Sequence, residues 1–396
     1  MLARPVQVAP GVETLKKKPC VFLVAGEVSG DMHAAQLAER IKHYLPDVEL
    51  RAMGGVCLRQ MGAKVAFDLT ARSTIGFAEV LQHFLPIYRT FLRLKRTLLD
   101  LKPDLVVLVD YQGFNMHVAK LLKQNKIPVF YYIAPQEWMW GTHEGGLRVV
   151  ANTDRIFTIF KDEDEFYKGL CNHVEFIGHP LLDIVKPVDV PAFTRDYRIQ
   201  AGERVVGLFP GSRRQEITRL MPLIFKAAKI VSQKTPGVRF FVPVTTGYRE
   251  AIKMALEQFD LKAELLPFEQ RYDLMARSQA AMAISGTVTL ELSILEVPMV
   301  ITYAISPLSY WIARSLMKIK VRHVGLPNIV ANMQIVPEFV QQQATPEKLA
   351  QELQDLLQNP TRCERMRSNL RTVKRKLGEP GAIDKAARSI YTFLRS

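Results

Sequence analysis

Four short stretches of this chain carry more chemistry than their local geometry requires. Gly26-Glu27-Val28-Ser29-Gly30-Asp31 bends a strand-like run into a helix with two glycines, a serine and two carboxylates. A plain turn of that kind needs one glycine and a capping residue, so the surplus marks something held there. In Pro103–Asn115, an apolar run ends on Asp110 and turns through Gly113 into a helix. A carboxylate at the carboxyl edge of a strand sits where parallel sheets do chemistry. If partly desolvated and within hydrogen-bond reach, it can deprotonate an alcohol. A turn-forming, helix-capping aspartate is the alternative, and this stretch alone leaves both open.

The other two stretches suit an anion. Pro210-Gly211-Ser212-Arg213 lies between a buried strand and a helix. Its free N–H groups attract negative charge, Ser212 can cap, and Arg213 adds a planar fork for phosphate oxygens. Ser285-Gly286-Thr287 repeats the arrangement, and Glu291 follows Thr287 by four residues on the same helical face. One turn from a phosphate, a carboxylate can accept both hydroxyls of a ribose, so the pair reads as a nucleoside diphosphate site. Neither loop ends in the Gly-Lys-Ser/Thr of a phosphate-binding P-loop, and neither is Gly-x-Gly-x-x-Gly.

Weaker candidates accompany these. Asn328 either braces its loop or presents its amide to a ligand. Trp138 and Trp140 flank one methionine beyond a strand and suit a sugar or acyl contact. His33 and His179 read as structural. Asp162-Glu163-Asp164 has the Asp-x-Asp spacing of a cation site but opens a helix, where acidic residues are stabilised by the dipole; it reads as a cap. No metal and no cofactor is implied.

Elements that could position these residues alternate throughout. Strands are expected at Val21–Ala25, Glu49–Met53, Leu105–Val109, Val129–Ile133, Arg155–Ile159 and Val174–Ile177, with helices at Met32–Leu45, Leu85–Leu99, Phe114–Gln124 and Glu163–Gly169. A second series follows at Arg204–Leu208, Arg239–Val242, Ala280–Ile284 and Met299–Tyr303. The pattern predicts an α/β protein of two doubly wound, Rossmann-like domains across a central cleft. Residues 1–18 read as a loose tail, 19–185 as the first domain, 186–203 as a proline-rich linker, 204–345 as the second domain and 346–396 as a helical segment.

The 396 residues carry a net charge of +14, which points to an anionic partner. Basic residues are dispersed among apolar positions rather than interleaved with exposed aromatics, which argues against nucleic acid. Four scattered cysteines form no Cys-x-x-Cys pair, fitting a reducing cytoplasm. No apolar run approaches the ~20 residues of a spanning helix. Two stretches, Leu81–Asp100 and Ser309–His323, mix apolar and basic residues at helical spacing, as on a membrane-surface helix. Oligomeric state is open, a homodimer being one option.

Ala25–Asp31, Asp110–Asn115, Ile177–Pro180, Pro210–Arg213, Ser285–Glu291 and Leu326–Asn328, in this order and spacing, closely resemble lipid-A-disaccharide synthase, a GT-B glycosyltransferase family. The resemblance runs from about residue 20 to the C-terminus. It implies inverting, metal-independent transfer from UDP-2,3-diacylglucosamine to 2,3-diacylglucosamine 1-phosphate, at the cytoplasmic face of a bacterial inner membrane. It also implies UDP contacts for Arg213, Ser285, Gly286, Thr287, Glu291 and Asn328, and a place in the catalytic cleft for Asp110. Glu27, Ser29, Gly30 and Asp31 fall on the acceptor side, with Gly26 and Gly30 giving the sugar room. The chain departs from the family pattern at Gln112 and Gly141, both near the expected acceptor pocket. Rival readings are a UDP-sugar 2-epimerase of the same architecture and a non-catalytic basic protein that binds nucleic acid.

Overall fold

Two wholly parallel sheets organise the chain in a computed structural model that describes residues 18–68, 77–211, 214–304 and 322–396. The first contains β1 (Cys20–Ala25), β2 (Glu49–Met53), β3 (Lys64–Phe67), β4 (Leu105–Val109), β5 (Val129–Tyr132), β6 (Arg155–Thr158) and β7 (Val174–Phe176). Their spatial order is β3-β2-β1-β4-β5-β6-β7. The second contains β8 (Arg204–Phe209), β9 (Val238–Val244), β10 (Ala263–Pro267), β11 (Ala280–Ile284), β12 (Met299–Tyr303) and β13 (Glu338–Val340), in the order β10-β9-β8-β11-β12-β13. Strand order therefore reverses between β1 and β4, and again between β8 and β11.

Each central strand is buried on both faces. Val21, Leu23 and Ala25 enter one apolar layer while Phe22 and Val24 enter the other. That is why these strands read as continuous apolar runs rather than alternating ones. All ten expected strands form, with ends within two residues of those expected. Three strands went unforeseen: β3, β10 and β13, each at a sheet edge. Their residues are mostly half-buried or exposed, so no apolar run announces them. The strand expected to reach Ile133 stops at Tyr132 because Ile133 turns left-handed, with φ +60°.

The proline-rich stretch expected as a linker is docked rather than loose. It holds a helix, Val190–Asp196, capped by Asp189 and anchored by buried Phe193. Asp273 of the second half accepts the Val188 and Asp189 amides at 2.7 and 2.9 Å. The C-terminal helices divide between the two halves. Pro346–Gln358 packs on Arg214–Lys234 and Pro360–Lys376 on Thr287–Ile294, whereas Ala382–Arg395 packs on Val28–Tyr44 beside β1.

The chain thus crosses between the halves twice, and the crossings touch. Gly178 (φ +87°) and Gly378 (φ +97°) both need glycine, and a Cβ on Gly378 would lie 3.2 Å from the Gly178 Cα. Asp183 on the first crossing accepts the Gly381 and Ile383 amides at 2.5 and 3.0 Å, capping the last helix from outside. Asp384 in that helix accepts Arg40 and Tyr44 at 2.5 and 2.7 Å. Removing a cap costs about 1 kcal/mol. Asp183→Ala should therefore accelerate hydrogen exchange in residues 382–395 while sparing 346–376; uniform protection would show that the last helix is held without it.

Candidate active site

Both strand-order reversals place loops side by side that leave in opposite directions. At the first, Gly26–Asp31 after β1 adjoins Asp110–Tyr111 after β4, since Ala25 pairs with Val109. At the second, Gly211 after β8 adjoins Ser285 after β11 through pairing of Phe209 with Ala283. These crevices are where doubly wound sheets bind ligands.

The first loop is tied inward more tightly than the sequence suggests. Tyr111 lies over Gly26, where a Cβ would come 2.1 Å from its ring. Gly30 is buried, and a Cβ there would meet the Val109 carbonyl at 3.6 Å. Gly26 thus seats an aromatic ring, whereas a Cβ at Gly30 would make only ordinary contacts. Asp31 is also turned inward, accepting amides of Gly55 (2.6 Å), Cys57 (2.9 Å) and Leu58 (3.4 Å). Asp31, expected on the acceptor side, anchors the loop after β2 through a buried carboxylate. Glu27 and Ser29 are half-buried at the helix start, and the Glu27 charge adds to burial in raising the Tyr111 phenol pKa.

Asp110 is half-buried at the end of β4. Asp110 and Tyr111 are consecutive left-handed residues, each with φ +49°. Non-glycine residues pay roughly 1–2 kcal/mol apiece for that conformation, and such strain clusters where function over-determines the backbone. Here Asn115 Nδ2 and the Tyr131 hydroxyl donate to the Asp110 carbonyl at 2.7 and 2.9 Å. Tyr111 stacks on Phe114, with centroids 5.7 Å apart.

The next loop, after β5, meets this one on Glu137. Gln112 Nε2 donates to Glu137 Oε1, and the Thr142 amide donates to Oε2 at 3.0 Å. A Cβ at Gly141 would fall 1.7 Å from that same Oε2. Gln112 and Gly141, the two departures from the family pattern, are therefore two sides of one buried carboxylate. Trp138 gives its indole N–H to Gln136 Oε1 at 2.8 Å and leans on Phe160, which makes it a buttress of this loop rather than a bare sugar platform. The Trp140 side chain lies outside the described residues.

Glu163 lies beneath, fully buried, accepting the Ile159 and Phe160 amides at 2.6 and 3.2 Å. It caps its helix, as the acidic triplet suggests, and Asp164 accepts Thr158 Oγ1 at 3.1 Å. His33 and His179 are buried too; burial pushes them down to about 4 and about 3, so both stay neutral. Tyr111 lies inside the Asp110–Asn115 motif, and Glu137 precedes Trp138, but their types alone do not mark them, nor Tyr131, as part of the site.

In the second crevice, Gly211 is left-handed at φ +110°, which explains the glycine. Ser212 and Arg213 lie outside the described residues. Ser285 donates to the Val324 carbonyl at 2.5 Å, Gly286 starts the Thr287–Ile294 helix, and Thr287 is exposed. Glu291 is buried beneath, accepting the Tyr272 hydroxyl at 2.8 Å with Arg271 Nε 3.6 Å away. Arg271 in turn lies over the Phe268 and Tyr272 rings. Asn328 is fully enclosed: its Oδ1 accepts Ile335 and Val336 amides at 2.8 and 2.9 Å, and its Nδ2 donates to the Val336 carbonyl. Asn328 thus braces its loop, one of the two readings its sequence allows. Among the described residues, no group of three or more metal-ligating side chains could hold a cation.

A family model described as Lipid-A-disaccharide synthetase matches residues 21–389. The lipid-A-disaccharide synthase of Geobacter metallireducens is 38% identical over 377 residues, 94% of this chain and 97% of its own. That of Coxiella burnetii is 33% identical, covering 95% and 99%. The chain belongs to the lipid-A-disaccharide synthase family. It is accordingly a GT-B glycosyltransferase of lipid A biosynthesis. Solved structures of similar fold include a putative UDP-N-acetylglucosamine 2-epimerase from Listeria monocytogenes (TM-score 0.67, 14% identity, covering 96% and 97%). MurG of Acinetobacter baumannii is another (TM-score 0.59, 13% identity, covering 95% and 100%). At such identity they speak to the fold, while the synthase family sets this chain apart from the epimerase reading.

Burial raises the Glu163 carboxyl from 4.5 to about 8, against the lowering effect of its two amide donors. The fold therefore keeps a proton that the unfolded chain releases near the ordinary glutamate range. Stability from this group is complete at low pH and is lost as pH rises toward 8. Glu163→Gln mimics the protonated form, so its urea midpoint should fall less than that of the wild type between about pH 5 and pH 8. Equal slopes would mean that the carboxyl is already ionised in the fold.

Proposed function

We propose that the chain joins UDP-2,3-diacylglucosamine to 2,3-diacylglucosamine 1-phosphate through a β-1,6 linkage, inverting the donor's anomeric carbon and releasing UDP. Membership of the synthase family over nearly the whole chain is the observation that carries this reading. The acceptor hydroxyl gives its proton to Asp110 as its oxygen attacks the anomeric carbon. The bond to the UDP oxygen breaks, and the charge that develops there is met by Arg213 and the N–H groups at the start of the Thr287–Ile294 helix. Glu291, held by Tyr272, accepts from the ribose hydroxyls. Ser285, Gly286 and Thr287 line the diphosphate, while Glu27, Ser29, Trp138 and Trp140 lie toward the acceptor.

The test is incubation of purified protein with both acylated sugars and measurement of product mass. Turnover of the UDP-sugar alone would instead favour an epimerase. Asp110→Asn preserves shape but removes basicity, and should lower turnover roughly 10²–10⁴-fold with little change in UDP binding. Wild-type turnover in that variant would remove Asp110 from the mechanism.

Acylated substrates must be drawn from lipid, and we place the enzyme at the inner face of the inner membrane without crossing it. No described helix is long and apolar enough to span a bilayer. On the Phe77–Leu101 helix, Leu85, Tyr88 and Leu92 are 62%, 49% and 45% exposed. Arg89, Arg93, Lys95 and Arg96 are exposed among them, each worth about 1 kcal/mol at an anionic surface. In the second candidate stretch, residues 309–321 lie outside the described residues. The protein should sediment with anionic liposomes at low salt and release at high salt, and Leu85→Glu with Leu92→Glu should weaken attachment. A protein that stays in the supernatant at low salt would leave substrate delivery to another route.

A further inference from the structure

We infer that Tyr131 is a positioning residue of the transfer reaction, its hydroxyl fixing the Asp110 carbonyl and so the direction in which the Asp110 carboxylate is presented. The inference rests on the reading of Asp110 as the base, and the experiment below separates failure of one from failure of the other. The starting point is the backbone. A strand that passes into a helix has no general need of two successive left-handed residues, yet Asp110 and Tyr111 both adopt that conformation at the end of β4. Neither is a glycine, so the surroundings must hold the pair there.

The holding contacts converge on one oxygen. The Asp110 carbonyl accepts Tyr131 Oη at 2.9 Å and Asn115 Nδ2 at 2.7 Å, while the Asp110 amide donates to the Tyr132 carbonyl at 3.2 Å. Asn115 Nδ2 also reaches the Val109 carbonyl at 3.2 Å, so its amide spans the last strand residue and the first turned one. Tyr131 comes from the neighbouring strand, so its contact is a side-chain bond that ties the Asp110 turn to β5. Removing it takes from the Asp110 carbonyl a donor that no residue of its own helix supplies.

Tyr131 is 0% exposed and cannot touch a substrate in the crevice. Its phenol is a neutral donor throughout the working range, because burial, and then the nearby Asp110 charge, raise its pKa well above the ordinary value. Any kinetic effect of removing the hydroxyl must therefore travel through what it holds. The Tyr111 ring, stacked on Phe114 and seated over Gly26, keeps the second left-handed residue in place. Loss of the Tyr131 bond thus frees the Asp110 end of the turn first.

Tyr131→Phe keeps the ring and its packing and deletes only the donor. Against the UDP-sugar donor and lipid acceptor, kcat should fall roughly 10-fold, less than the ~10²-fold that a 1 Å misplacement can cost, with KM for the donor unchanged. In an Asp110→Asn background the same substitution should cost nothing further, since there is no base left to aim. Asn115→Ser, which shortens the other donor, should show the same dependence on Asp110. A thermal melt on each variant separates loss of folded protein from loss of turnover per folded molecule. Wild-type kcat in Tyr131→Phe, or an equal fold-loss in both backgrounds, overturns the inference while leaving Asp110 as the base. Wild-type turnover in Asp110→Asn alone overturns both.

Discussion

The reversal of strand order, between β1 and β4 and again between β8 and β11, is the constraint from which the rest follows. Where neighbouring parallel strands send their connections to opposite sides, the sheet edge is left open as a crevice. Among the described residues, the candidates Glu27, Ser29, Asp110, Ser285 and Thr287 follow the strands at those two points. The connections elsewhere are closed over by helices, as the buried apolar layers on both faces of each central strand require. Two such crevices in one chain suit a reaction with two sugar substrates.

At the first crevice, the carboxylates Asp31, Glu137 and Glu163 are held by amide donors. Asp31 takes three amides, Glu137 an amide side chain and a backbone N–H, and Glu163 two backbone N–H groups. Amide donors hold a carboxylate in place without adding a positive charge. The consequence for Glu163 is a proton retained near neutrality, because two N–H donors do not offset full burial. Glu137 also joins the loops after β4 and β5, so substitutions at Gln112 or Gly141 act on the same carboxylate.

The fold by itself does not choose the reaction. Structures of similar shape include UDP-N-acetylglucosamine 2-epimerases and MurG, at 13–14% identity. What separates this chain from them is its match to the synthase family over residues 21–389. The docked Val190–Asp196 helix and the paired glycines of the two crossings link the halves through short, well-fitted segments. The last helix, returning to the first half, makes both halves depend on one C-terminal strap.

The sequence by itself determined the layering, the central strands and the glycine-bearing turns. Continuous apolar runs bury both faces of a parallel sheet, and that signal is local. It also fixed the family, because six motifs in one order leave little else. It did not show β3, β10 or β13, since edge strands are half-exposed and carry no apolar run. Nor could it say which polar residues face a ligand. Asp31, Gly26 and Asn328 have the right types at the right spacing, yet tertiary contacts occupy them with amides, a ring and a loop. The contacts of Tyr131 and Glu137 form only where separate strands and loops meet. A hydrogen bond between residues far apart in sequence leaves no period to read, so only the folded chain decides which groups are already occupied.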